Sequence, residues 1–395
     1  MQKFDFYCPT KIIFGAGRKQ EIGEQTAKAG ARKAMIVFGG HSALNGGLID
    51  FVEGSLHTNG VESVRFGGVQ PNPRLSHVYE GVRIAVENHV DFLLAVGGGS
   101  SIDTAKAIAI GAANPEIDVW DVWAKDVPFG NILPVGVLLT ISAAGSETSQ
   151  GSVITNDENQ MKRGHSDDRM RPVFAVMDPE LTYSVPKYQV MCGVVDIMMH
   201  TIERYFNPIT DNMLTDEISL GLLRTVVSAG KRAYVDQTDY DAMSELMWAG
   251  SLSHNGLTGL GGIKDFTCHK FGHELSGMFD KAHGATLSAV WCHWARYCAK
   301  TDFARFARFG AEVWRIDNSG LTDEEAAMAA INAVEAFFRS IEMPTNLKEL
   351  GLGELDEATL QELSMRCTSQ ATIKVGKFQP LPYEDVLAIF RLSNQ

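Results

Sequence analysis

Asp91-Phe92-Leu93-Leu94-Ala95-Val96-Gly97-Gly98-Gly99-Ser100-Ser101-Ile102-Asp103-Thr104-Ala105-Lys106 joins three textures without a break. An apolar run suited to a buried strand ends in three glycines, and a stretch with helical character follows from Ile102 to Ala112. Lys33-Ala34-Met35-Ile36-Val37-Phe38 before Gly39-Gly40 repeats the pattern upstream. Short β-rich runs alternating with longer helical patterns predict βαβ units and a parallel sheet over the first ~180 residues. After Asp178-Pro179 and Val185-Pro186 the texture changes to long periodic stretches rich in Ala, Leu, Met and Glu, as a helical domain requires. We place the boundary at 182, giving an α/β N-terminal domain over 1–182 and an all-α C-terminal domain over 183–395.

Glycines at 97–99 let a backbone approach a pyrophosphate, and the free N–H groups of the following helix favour an anion. The segment matches neither GxGxxG nor GxxxxGK[ST], so a standard nucleotide fingerprint does not apply. A glycine-rich turn with a serine cap is the competing reading. Asp103, in the first turn of the helix, would repel phosphate and suits an amide or hydroxyl of a bound cofactor better.

Asp196 and His200 stand four apart in Gly193-Val194-Val195-Asp196-Ile197-Met198-Met199-His200, on one helical face. His269-Lys270-Phe271-Gly272-His273 repeats the spacing, and His283-Gly284 follows in the turn beyond. One carboxylate and three imidazoles suit Zn²⁺ or Fe²⁺ with room for a substrate oxygen. Taken singly, an Asp/His pair at this spacing is usually a capping or surface pair, and His269 and His273 read as well as core or surface histidines. Lys270 occupies the position of the metalloprotease glutamate in HExxH, so a zincin reading fails at its base.

Composition narrows the field. The chain of 395 residues is 45% hydrophobic and carries a formal charge of −13. That charge, with no Lys/Arg run, argues against nucleic acid and anionic lipid as partners and for small-molecule chemistry. No window approaches the roughly 18 uninterrupted apolar residues of a membrane span, and the start lacks the order of a secretory signal. Six cysteines without a CxxC pair fit reduced thiols, and a cytoplasmic location is expected.

Several ordered motifs resemble the iron-containing alcohol dehydrogenase family, in its butanol dehydrogenase and broad-range aldehyde reductase branch. They run from Pro9-Thr10-Lys11-Ile12-Ile13-Phe14-Gly15 through Pro71-Asn72-Pro73, the Gly97 turn, Gly145-Ser146-Glu147 and Pro172 to Pro179, then Gly193 to His200 and His269 to Gly284. The resemblance implies a dinucleotide-binding α/β domain, a helical metal-binding domain and an active site in the cleft. It implies Asp196, His200, His269 and His283 as ligands of one divalent ion, Fe²⁺ or Zn²⁺, with His273 as an uncoordinated proton carrier. It also implies Gly97, Gly98, Gly99, Ser100 and Asp103 at the pyrophosphate and nicotinamide. Gly39, Gly40, Ser42, Asn72, Thr140, Ser142 and Lys162 would line the rest of the coenzyme groove. The expected reaction is hydride transfer between a nicotinamide coenzyme and a primary alcohol or short aldehyde, in a homodimer.

Three positions depart from the family's usual pattern: Ala144 replaces a threonine, Phe266 a tryptophan, and His41 a glycine. The turn Phe38-Gly39-Gly40-His41-Ser42 has no carboxylate to bind a ribose 2′-hydroxyl, so NADP(H) is expected to be preferred over NAD(H). Two other readings stand beside this one. A metal- and nicotinamide-dependent lyase or cyclase of the dehydroquinate synthase type would want more cations around the histidines than Lys264, Lys270 and Lys281. A metal-binding protein without turnover would have no need for the extra histidine at 273.

Overall fold

The computed structural model describes residues 1–40 and 46–395, so His41 and Ser42 lie outside the described residues. Its contacts divide the chain into two compact units, Tyr7–Val185 and Met1–Phe6 with Pro186–Gln395. The first six residues thus group with the helical unit. There the Met1 ammonium lies 2.8 Å from Asp211 and the Gln2 amide donates to the Gly261 carbonyl at 3.0 Å.

In the first unit β1 (Lys11–Phe14), β2 (Lys33–Phe38), β3 (Glu62–Phe66), β4 (Phe92–Gly97), β5 (Val135–Leu139) and β8 (Phe174–Met177) form one sheet in the order β1-β8-β5-β4-β2-β3. All its pairings are parallel. Parallel strands are covered on both faces, which is why β4 reads as an unbroken apolar run and Phe92 to Ala95 are fully buried. Gly136 on β5 leaves room for a ring: a Cβ there would fall 2.5 Å from Phe174 Cζ. The helices between strands are α1 (Ile22–Lys28), α2 (Leu48–Thr58), α3 (Leu75–Glu87), α4 (Gly99–Ala113) and α5 (Val119–Lys125). Strands β6 (Gly151–Asn156) and β7 (Met161–Ser166) form a separate antiparallel hairpin, an exception to the βαβ alternation read from sequence.

Strand order reverses between β2 and β4, because the chain moves outward from β2 to β3 and returns to β4 on the other side. Ligands of open α/β sheets bind outside the carboxyl ends of strands at such a switch point. Gly39-Gly40 and Gly97-Gly98-Gly99 follow the two strands that flank it.

The second unit comprises α6 (Lys187–Tyr205), α7 (Met213–Val235), α8 (Tyr240–His254), α9 (Thr267–Phe279), α10 (His283–Cys298), α11 (Phe303–Trp314), α12 (Asp323–Ser340), α13 (Glu357–Cys367) and α14 (Tyr383–Ser393). Every residue of α6 from Val190 to Tyr205 is buried, so its polar members Asp196, His200, Glu203 and Arg204 sit inside a helical core. Ionisable groups are seldom fully buried unless partnered, and four of them within nine residues mark a site. Helix α10 reaches α6 through Gly284, where a Cβ would lie 2.1 Å from the Cys192 carbonyl oxygen. That contact brings His283, the first residue of α10, up to α6; the sequence reading had put it in a turn.

Candidate functional site

Helical periodicity places Asp196, His200 and Glu203 on one face of α6, at i, i+4 and i+7. From α9, His269 joins them: Asp196, His200 and His269 offer ligand atoms all within 4.8 Å of one another. Asp196 Oδ1 lies 3.5 Å from His200 Nδ1, 3.6 Å from His269 Nε2 and 3.9 Å from His283 Nε2. Metal–nitrogen bonds of about 2.1 Å in a tetrahedral site put neighbouring donors about 3.4 Å apart, close to these separations.

Asp196 Oδ1, His200 Nδ1 and His269 Nε2 are buried and have no hydrogen-bond partner among the described residues. Each unmet buried polar atom costs about 1–3 kcal/mol, so three converging on one point require a common partner. A divalent cation satisfies all three, and the carboxylate and imidazole donors fit iron or zinc. Burial, reinforced by neighbouring cationic groups, pushes His200 well below the usual imidazole range and keeps it neutral, as a ligand must be. Burial acts on His269 in the same direction, but the Glu203 and Asp196 carboxylates outweigh it and push it up to about 9.

Glu203 was missed from sequence although it continues the Asp196–His200 face. Its carboxylate accepts from His269 Nδ1 and, at 3.2 Å, from the His269 amide. A carboxylate holding the far nitrogen fixes the ring and its tautomer and leaves Nε2 to face Asp196. His254 and Arg204 were also missed. The His254 ring centroid is 4.1 Å from that of His200, and Arg204 Nη2 lies 3.0 Å from His254 Nδ1. Phe266 precedes α9 in the left-handed region at φ 58° and meets the His269 ring edge-on at 5.2 Å. Distance in sequence hides His254, which comes from α8. His273 lies outside the tight cluster, its ring 6.5 Å from His269 and 5.4 Å from His283, and it is partly exposed.

The glycine turn is partly exposed between β4 and α4. Its glycines are needed for packing in any case: a Cβ on Gly98 would fall 2.1 Å from Ile141 Cγ2, and one on Gly99 2.9 Å from Ala144 Cβ. The Thr140 amide donates to the Gly97 carbonyl at 3.1 Å, which joins those two expected groove residues. Lys162 Nζ donates to Asn72 Oδ1 at 2.8 Å, joining another pair. Ser142 is buried, with no partner for its hydroxyl among the described residues. Asp103 turns inward, its two oxygens accepting from Ser146 Oγ at 2.6 Å and the Val153 amide at 2.9 Å. Gly39 accepts from the Gly68 amide at 3.3 Å, and Gly40 is exposed.

Comparison with known proteins agrees with this chemistry. Residues 9–179 match the family model for iron-containing alcohol dehydrogenase, and 190–393 match that for the C-terminal part of the same family. The chain belongs to the iron-containing alcohol dehydrogenase family. It is 40% identical over 394 residues to NADH-dependent butanol dehydrogenase A of Clostridium acetobutylicum, covering 100% of both chains. It is 35% identical to the NADPH-dependent aldehyde reductase YqhD of Escherichia coli, covering 92% of this chain and 93% of that one. The crystal structure of a butanol dehydrogenase A from Thermotoga maritima superposes with a TM-score of 0.95 at 33% identity, over 100% of this chain and 99% of the other.

The protein is therefore a nicotinamide-dependent oxidoreductase of the alcohol dehydrogenase and aldehyde reductase type, in a family that uses a divalent metal. The lyase alternative finds no support among these relatives. Within an iron-containing alcohol dehydrogenase, Asp196 Oδ1, His200 Nδ1 and His269 Nε2 acquire a reason for having no hydrogen-bond partner among the described residues. No helix among the described residues is long and apolar enough to cross a membrane.

Proposed function

We propose that Asp196, His200, His269 and His283 hold one divalent ion, Fe²⁺ or Zn²⁺, and that the enzyme interconverts short aldehydes and primary alcohols at that site. The observation that carries this reading is the convergence of unpartnered, buried Asp196 Oδ1, His200 Nδ1 and His269 Nε2. A divalent ion there supplies Lewis-acid polarisation of the substrate oxygen, and a nicotinamide supplies or accepts the hydride. Asp196 contributes the negative charge that offsets the cation. Glu203 keeps the proton on His269 Nδ1, so that the Nε2 lone pair points inward. His273, partly exposed and one turn past His269, moves a proton between the substrate oxygen and solvent through its imidazole.

Gly97, Gly98, Gly99 and Ser100 receive the pyrophosphate at the start of α4, where free amides and the helix dipole favour an anion. Gly39, Gly40, Ser42, Asn72, Thr140, Ser142 and Lys162 complete the groove. Asp103 reaches it through Ser146. NADP(H) is accepted and preferred, because no carboxylate follows β2 to repel a 2′-phosphate. The six free cysteines favour a reducing, cytoplasmic setting. Exposed Phe4, Phe6 and Tyr7 offer apolar surface to a second copy, making a homodimer.

The test is reduction of a short aldehyde series with NADPH and with NADH, before and after chelation. The expected result is turnover that chelation abolishes and a divalent ion restores, with kcat/KM higher for NADPH. A preference for NADH above about tenfold, or ~1.4 kcal/mol, rejects the coenzyme assignment. Full turnover after complete chelation rejects the metal assignment.

A further inference from the structure

Lys106 is fully buried two turns into α4, where the three N–H groups of its ammonium are shared among four oxygens. These are Ser146 O at 2.8 Å, Ser146 Oγ at 3.0 Å, Ser149 O at 2.9 Å and Gly151 O at 2.7 Å. One turn earlier, Asp103 takes Ser146 Oγ and the Val153 amide, and its carbonyl accepts from Ser152 Oγ at 3.1 Å. Burial pushes the Lys106 ammonium down to about 8, against the pull of Asp103 and Glu147. An apolar side chain of similar volume would fill the same space without that desolvation penalty. The charge is explained by what it grips.

What it grips is the irregular chain between β5 and β6. That segment leans on the glycine turn at its other end: the Thr140 amide bonds Gly97, while Ile141 and Ala144 occupy the space where side chains on Gly98 and Gly99 would go. Within the first of these attachments, between Ile141 and Ala144, lies Ser142, buried with its hydroxyl unpartnered among the described residues. Helix α4 therefore offers its first turn to an anion and, two turns on, fastens the wall beside that turn.

We propose that Lys106 is a positioning residue for the coenzyme, which holds the 140–151 segment in its binding shape before the coenzyme arrives. Preorganisation of this kind lowers the ordering cost of binding and leaves the chemical step untouched. The proposal rests on the coenzyme reading of the glycine turn, and its test separates the two.

The holoenzyme is compared with Lys106→Met, Ser146→Ala and Ser142→Leu. NADPH and NADH affinity is read by fluorescence titration, KM and kcat by aldehyde reduction, and folding by thermal unfolding. Lys106→Met is expected to raise Kd and KM for the coenzyme by about tenfold or more, with kcat at saturating coenzyme held within about twofold. Ser146→Ala, which removes a hydroxyl shared by Asp103 and Lys106, is expected to move the same constants the same way by less. A folded Lys106→Met with wild-type coenzyme affinity, or one whose loss falls on kcat, overturns the proposal. Should Lys106→Met fail to fold, unchanged affinity in Ser146→Ala overturns it instead. If Ser142→Leu alone weakens binding, this proposal falls and the groove stands; if none of the three weakens it, both fall.

Discussion

His273 and His269 share a face of α9, yet only His269 belongs to the cluster of converging donors. Exposure separates their roles, because a group that exchanges protons with water must reach it and a ligand need not. His273→Ala is expected to keep its metal and lose turnover by about 10²; metal analysis beside kcat checks both halves, and a metal-free or fully active variant contradicts the role. Helical spacing of Asp and His survives in one dimension and drew attention to Asp196 with His200 and to His269 with His273, while the choice of Asp196, His200, His269 and His283 as the proposed ligands came from the family resemblance. Glu203, seven residues past Asp196, continues the same face and was equally within reach of the spacing argument. His254, Arg204 and Phe266 were not legible. His254 meets His200 only through the packing of α8, whereas Arg204 follows His200 by one turn of α6 and Phe266 precedes His269 by three residues, so for these two it was the contacts and not the positions that the sequence hid. Asp103 was read as a coenzyme contact, whereas the hairpin beginning at β6 supplies the Val153 amide that turns it inward.

Gly284 shows how an element depends on one missing side chain. With a Cβ 2.1 Å from the Cys192 carbonyl, any larger residue pushes α10 off α6 and carries His283 away from Asp196. Gly284→Val is expected to destabilise the helical unit by about 1–3 kcal/mol or more and to lower bound metal. Gly221 on α7, whose Cβ would meet nothing nearer than Arg224 Nη2 at 3.7 Å, is the matched control. Gly221→Ala should be neutral or stabilising by up to about 1 kcal/mol. Denaturation midpoints and metal content compare the two, and equal behaviour contradicts this account of α10. At this scale the parallel strands were readable from unbroken apolar runs ending in glycine. The β6–β7 hairpin was not, since Met161–Ser166 carries Lys162, Arg163 and His165 and has no apolar face to betray it. The packing of Gly98 on Ile141 was equally hidden, so a capping turn was the reading set against phosphate binding, and close packing was not weighed.

For the whole molecule, two cores of different make share one chain, and the change of texture after Val185-Pro186 displays this in the sequence while strand order does not. Both cores bury groups that lose protons at alkaline pH. Burial pushes the thiols of Cys292 and Cys298 up from 9.0 and the phenol of Tyr205 up from 10.0 to about 12. The unfolded chain releases these protons near pH 9 and 10 while the folded chain keeps them. Their stabilisation is therefore complete below pH 9 and drains above it, by about 1.4 kcal/mol per group per pH unit. Lys106, pushed down to about 8, works oppositely between 8 and 10.5, but one group does not offset three. Under reducing conditions the denaturant midpoint is expected to be lower at pH 10.5 than at pH 8; a rise contradicts this balance. The central claim is that one divalent ion on Asp196, His200, His269 and His283 is required for turnover. Its most direct test is metal content per chain measured together with aldehyde reduction, for the wild type and for His283→Ala. The account predicts about one ion per chain with turnover in the wild type, and loss of both in the variant. A metal-free wild type at full rate, or a His283→Ala variant that keeps both metal and activity, contradicts it.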